Sequence, residues 1–154
     1  MNTETNNKLQ SAEITLSYKG KVKPSERIKL ATSQNTADLL RTIFDADLLE
    51  WREEMILLCL NRMNKVIGYY KVSSGGVAGT VCDPKIIFTV ALNCGATSII
   101  LSHNHPSGNL KPSQADIDMT KRIKAGGKIL DIEVLDHVII TAEGYYSFAD
   151  EGMM

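Results

Sequence analysis

The chain is poor in net charge, in cysteine and in long apolar runs, and each shortage removes a class of function. Over 154 residues, 17 lysines and arginines face 18 aspartates and glutamates, a formal net charge of −1. That balance gives no global electrostatic pull toward a polyanion. No apolar run approaches the roughly 20 residues of a membrane-spanning helix, so no membrane association is expected. The start, Met1-Asn2-Thr3-Glu4-Thr5-Asn6-Asn7-Lys8, carries no apolar segment of the signal-peptide kind, and a cytoplasmic location is the expectation. Cys59, Cys82 and Cys94 are odd in number, widely spaced and set among apolar residues. They read as reduced thiols packed like small hydrophobes, not as a disulfide framework. There is no Cys-x-x-Cys and so no zinc ribbon. A thiol nucleophile is the disfavoured reading, with Cys82, the least buried by context, as its candidate.

Histidine is as scarce as cysteine, three in all, yet two of the three stand two residues apart in Ser102-His103-Asn104-His105-Pro106. On an extended segment His-x-His puts both imidazoles on one side. Pro106-Ser107-Gly108-Asn109 is turn chemistry. A helix is expected from about Pro112 or Ser113, with Asp116 in its first turn, able to point back at the histidines. Two neutral imidazoles and one carboxylate are a sufficient protein ligand set for a catalytic zinc, with the fourth position left to water. Each piece has a plainer account. A lone His-x-His is more often a solvated turn, Ser113 serves as an N-cap, and Asp116 suits a helix N-terminus. The whole order, His-x-His, seven residues, Ser, two residues, Asp, is what chance rarely supplies.

The rest of the chain reads as one domain large enough to bury a core. Ile14-Thr15-Leu16-Ser17-Tyr18 alternates like a strand, and Ile28-Lys29-Leu30 is a short extended piece. Thr36 is the expected N-cap of a helix through Asp45. Met55 to Leu60 is a buried strand paired through a hairpin with Val66 to Val72, followed by a loop from Ser73 to Gly76. Asp83-Pro84 opens a helix with Ile86, Ile87, Val90, Ala91 and Leu92 as its apolar face, ending at Gly95. Thr97 to Leu101 is a strand running into His103. The helix after Pro112 is expected to stop at Gly126-Gly127. Ile132 to Thr141 and Tyr145 to Phe148 supply the last strands. No internal repeat is present. The class is α+β, a mixed sheet flanked by helices.

The motif resembles the JAMM signature of the JAB/MPN metalloprotease superfamily. The longer strings Ser102 to Asn109 and Pro112-Ser113-Gln114-Ala115-Asp116 are similar to its bacterial RadC branch. Leu135-Asp136-His137 and the stretch from Glu53-Glu54-Met55 through Asn61 look like that branch too. The resemblance divides the chain into an extension, residues 1–34 with a polar, disordered start, and a domain at 35–150. It implies a curved mixed sheet of the cytidine-deaminase-like kind. It implies zinc on His103, His105 and Asp116, and an activated water that attacks an amide carbonyl of a peptide or protein substrate. A glutamate on an earlier strand would act as general base. Glu53 keeps the family's two-residue spacing to the apolar position Met55 and is chosen, with Glu54 as the alternative, since alternation lets only one face the site. Ser113 resembles the serine that donates a hydrogen bond to the oxyanion.

Two classes stay open. One is a JAMM-type peptidase or isopeptidase. The other is an accessory protein of DNA repair or of mobile elements, acting as a DNA- or protein-binding module. Lys111, Lys121, Arg122, Lys124 and Lys128 are its basic residues, though such a set more often forms a solvated face. Asn104 points away from the ligand pair and reads as structural. His137 is either a satisfied core histidine or a group behind the metal ligands.

Overall fold

A computed structural model describes residues 12–75 and 82–154. Among these residues the chain forms a short 3-10 turn, Pro24–Glu26, three helices and five strands. The helices are α1 (Ser33–Ile43), α2 (Pro84–Asn93) and α3 (Gln114–Ile129). The strands are β1 (Glu54–Leu60), β2 (Val66–Ser74), β3 (Ser98–Asn104), β4 (Glu133–Ile140) and β5 (Tyr145–Ser147). The strand order is β2-β1-β3-β4-β5. Only β3 and β4 run parallel, joined through α3, and the other neighbours are antiparallel. This is the mixed sheet flanked by helices that the sequence implied.

β1 and β3 are buried along their whole length. That explains the continuous apolar runs at 55–60 and 99–101, because a strand covered on both faces needs no polar alternation. Leu57, Cys59, Ile99 and Leu101 meet Ile87, Phe88 and Ala91 of α2 and Ile123 of α3 on one face. Ile56, Leu58, Leu60 and Ile100 meet Ala37 and Leu40 of α1 on the other. Parity along β3 therefore sends His103 to the α2/α3 face and Asn104 to the α1 face. In β4 the pairing jumps from Ile99↔Val134 to Ile100↔Asp136, a bulge at Leu135. The extra residue reverses the alternation, so Val134 and His137 face the same side although an odd number of positions separates them.

Several sequence expectations need correction. Ile14 to Tyr18 forms no strand. Ile14 and Leu16 lie in solvent, and the segment is tied down by Tyr18 Oη donating to the Ile67 carbonyl at 2.9 Å and by Asn93 Nδ2 donating to that of Ser17 at 3.0 Å. Alternation makes a strand only where there is an edge to pair with and a face to bury. Helix α1 begins earlier than expected, capped by Thr32, whose side chain accepts from Asn35 N; Thr36 is buried inside it. Ser73 and Ser74 continue β2. In α2, Ile86 and Leu92 are exposed, and Ile87, Phe88 and Ala91 form the buried face. Helix α3 passes through Gly126-Gly127 to Ile129. A Cβ on Gly127 would lie 2.3 Å from the Ile132 carbonyl oxygen, so this glycine permits close packing and does not end the helix. The expectations for residues 1 to about 10 and for Gly76 lie outside the described residues.

Candidate metal centre

β3 ends at Asn104, so His103 sits inside the sheet and His105 just beyond it. His103 is fully buried and pairs across the sheet with Met55. Glu53 lies two residues before Met55, on the same face by parity, and its carboxylate stands 3.8 Å from His103 Nε2. Glu54 faces the other way. It is buried, and one of its carboxylate oxygens lies 3.6 Å from the Arg52 guanidinium. Asn104 anchors the approach to β1. It accepts from Glu54 N at 2.7 Å and donates to the carbonyls of Leu49 at 2.8 Å and Arg52 at 2.9 Å. Its role is structural.

The turn after β3 returns at once. Gly108, with φ +79°, adopts the left-handed conformation that glycine tolerates. It brings the Asn109 carbonyl within 2.6 Å of His105 Nδ1. A carbonyl only accepts, so Nδ1 carries the hydrogen and Nε2 points inward. Asp116 comes from the first turn of α3. Ser113 caps that helix reciprocally: its Oγ accepts from Asp116 N at 3.1 Å, and its own N donates to Asp116 Oδ2 at 2.7 Å.

The four side chains Glu53, His103, His105 and Asp116 each offer a ligand atom, all within 4.8 Å of one another. His103 Nε2 lies 2.9 Å from His105 Nε2 and 3.3 Å from Asp116 Oδ1, and His105 Nε2 is 3.5 Å from Asp116 Oδ2. Donors bound at ~2.0–2.2 Å around a tetrahedral ion sit roughly 3.3–3.6 Å apart. The 2.9 Å between the two Nε2 atoms is shorter, whereas the two histidine–aspartate spacings fall in that range. The electrostatics agree. Two imidazole nitrogens face each other beside two carboxylates, an arrangement that needs a proton or a cation between the nitrogens. The His105 imidazole is raised above its ordinary value, first by its hydrogen bond to Asp116. Burial alone would raise Asp116, but the His103 and His105 imidazoles 3.3 and 3.5 Å away and the Ser113 N–H hold it well below the usual carboxylate range. The residues present therefore fit a divalent metal.

Behind His103 stands His137, fully buried and stacked on Phe148 with ring centroids 4.7 Å apart. Its Nε2 is 2.7 Å from His103 Nδ1. Burial pushes its imidazole well below the ordinary value. Thr120 completes the surroundings at 2.6 Å from His137 Nδ1. The strand reading of β4 left the direction of His137 open because the bulge at Leu135 has no sequence signature. Thr120 was missed altogether, although it lies one helical turn after Asp116. Asp118 points away and accepts from Gln114 Nε2 at 2.9 Å.

A groove of about 580 Å³ opens beside the cluster, with Glu53, His105 and Ser113 at one side and Trp51, Ser107 and Lys111 among its other walls. A larger hollow of about 790 Å³, lined by Arg62, Lys124 and Lys128 among others, touches none of the four donors. The cysteines take no part in the site. Burial raises the Cys82 thiol to about 11, which removes the thiolate a nucleophile would need.

Comparison with known proteins agrees with this architecture. The model of the RadC-like JAB domain matches residues 17–153. The chain belongs to the RadC-like JAB domain family. A UPF0758 protein of Flavobacterium johnsoniae is 55% identical over 101 residues, covering 66% of this chain and 44% of that protein. One from Porphyromonas gingivalis is 43% identical over 104 residues, 67% of this chain and 46% of that protein. One from Aquifex aeolicus is 34% identical over 142 residues, 92% of this chain and 58% of that protein. The chain thus spans about half the length of these relatives. Among the described residues no helix is long and apolar enough to cross a membrane.

Proposed function

We propose that this RadC-like JAB domain is a zinc-dependent hydrolase of the JAMM type, cleaving a peptide or isopeptide bond in a peptide or protein substrate. The supporting observation is the convergence of four donor side chains, Glu53, His103, His105 and Asp116, at the edge of an open groove. His103, His105 and Asp116 would hold the ion, and imidazole donors favour zinc over magnesium. When bound there, zinc supplies Lewis acidity and brings the pKa of a coordinated water toward ~7. Glu53, whose carboxylate stands farthest from His103 Nε2 of the measured neighbours, takes a proton from the attacking water as its oxygen bonds to the carbonyl carbon. It then delivers that proton to the amine as the C–N bond breaks. The Ser113 hydroxyl accepts from Asp116 N and keeps its own hydrogen for the developing oxyanion, a bond worth ~3 kcal/mol in the transition state.

The test is turnover of a peptide library or of a fusion with a folded leaving domain. Glu53→Gln is expected to abolish cleavage while zinc stays bound. Unchanged turnover would remove Glu53 from this role, and Glu54→Gln would be examined next. The second reading, a DNA-binding accessory domain, draws on Lys121, Arg122, Lys124 and Lys128, all exposed on α3. Absence of DNA retardation at low salt, where phosphate contacts are strongest, would eliminate it.

A further inference from the structure

The side chains behind the cluster form a file of hydrogen bonds whose direction is fixed at one end. Thr120 Oγ1 lies 2.7 Å from the Asp116 main-chain oxygen and 2.6 Å from His137 Nδ1. The carbonyl only accepts, so the single hydroxyl hydrogen goes to it. Thr120 Oγ1 must then accept from His137, which places the His137 hydrogen on Nδ1. In this neutral, solvent-free ring Nε2 holds the lone pair and accepts from His103 Nδ1 at 2.7 Å. With that hydrogen committed, His103 turns its Nε2 lone pair toward His105, Asp116 and Glu53.

We propose that Thr120 and His137 are positioning residues that select the tautomer of His103. Helix α3 then governs two metal ligands through one turn. It supplies the Asp116 carboxylate directly, and it orients His103 through the Asp116 carbonyl, Thr120 and His137. The bulge at Leu135 is part of the device, because it turns His137 to the face that His103 occupies. Phe148, stacked on His137 at an interplanar angle of 15°, holds the ring in its plane. The effect on metal affinity rests on the metal reading above, whereas the tautomers belong to the metal-free chain.

The experiment reads both. Long-range proton–nitrogen NMR on the metal-free, histidine-labelled full chain reports which nitrogen of each ring is protonated. His137 is expected as the Nδ1–H form, with a hydrogen also on Nδ1 of His103. Thr120→Val keeps the branched shape but cannot accept. His137 should then move its hydrogen to Nε2 and donate to His103, driving the His103 hydrogen onto the metal-facing nitrogen. Zinc affinity, measured by competition with a chromophoric chelator, should fall about 10- to 100-fold in Thr120→Val and stay within about threefold of the parent in Thr120→Ser. The Nε2–H form of His137 in the parent would overturn the proposal, and so would Thr120→Val with parental tautomers and affinity. If Thr120→Val does not fold, the parent spectrum decides alone. A parent chain that shows the expected tautomers but takes up no zinc would overturn the metal reading and leave the relay standing.

Discussion

The two faces of the sheet are built from the same strands and do different work. On the α1 face, Ile56, Leu58, Leu60, Ile100, Val138 and Ile140 pack against Ala37, Leu40 and Phe44. Among its buried polar residues, Ser102 donates to the Val138 carbonyl at 2.8 Å and Asn104 is wholly spent on main-chain groups. The α2/α3 face is equally apolar around Leu57, Cys59, Ile99 and Leu101. Two residues further along β3 it becomes the fully buried His103, joined just beyond the strand by the half-buried His105, among carboxylates. Neighbouring positions on one strand thus contribute either to stability or to chemistry according to parity alone. The apolar face packs the sheet between helices, and the β1–β3 register sets His103 opposite Met55 with the Glu53 carboxylate 3.8 Å from His103 Nε2.

Substitutions on the two faces should therefore separate function from stability. The largest effect is expected from Glu53→Gln, a near-isosteric change. Loss of a general base costs about 10²- to 10⁴-fold in rate, with thermal stability and zinc content close to parental by calorimetry and metal analysis. Leu58→Ala, on the fully buried α1 face, should do the reverse. It should lose about 2–5 kcal/mol of unfolding free energy in a urea titration while the folded fraction keeps its zinc affinity. An equal loss of zinc affinity would show that the faces are not separable. Ser113→Ala sharpens the comparison, because Ser113 serves both ends. Removing the cap should cost about 1 kcal/mol of stability. A further fall in kcat beyond that of a general cap mutant would mark the oxyanion contact, and an unchanged kcat would leave Ser113 as a cap only.

The smallest effect is one of pH. The His105 imidazole is raised above its ordinary value through Asp116, so near neutrality zinc must displace a proton there. Affinity should fall as pH drops, beginning above about 6.5, with proton release on binding in that range. Asp116 is held low and stays ionised throughout, so it adds no proton competition there. A flat affinity from about pH 8 to 6 would contradict this account of His105.

The sequence carried the layout of the site because its parts are local. His103, His105 and Asp116 fall in one short stretch of chain, and the turn and cap residues between them act within a few positions. Glu53 came from the family resemblance, which implies a glutamate two residues before an apolar strand position, with Glu54 as the alternative. Parity with Met55 then explains why Glu53 is the one that faces His103. The strands were readable because β1 and β3 each carry a local apolar run, at 55–60 and 99–101. What escaped depends on contacts distant in sequence. The start of α1 turned on which of two threonines, Thr32 or Thr36, found an orphan N–H. Gly126-Gly127 looked like a helix end because nothing local reveals how closely Ile132 and Phe88 approach them. The Thr120–His137 relay required both the bulge in β4 and its parallel register with β3, and neither has a residue pattern of its own.

The central claim is that Glu53, His103, His105 and Asp116 form a metal centre, and the most direct measurement is bound metal in protein purified without chelator. His103→Ala and Asp116→Ala would be measured beside it, with folding checked by circular dichroism. The account predicts about one zinc per parent chain and loss of that zinc in both folded variants. Parent protein that stays folded yet takes up no zinc, even when the ion is added, would contradict it.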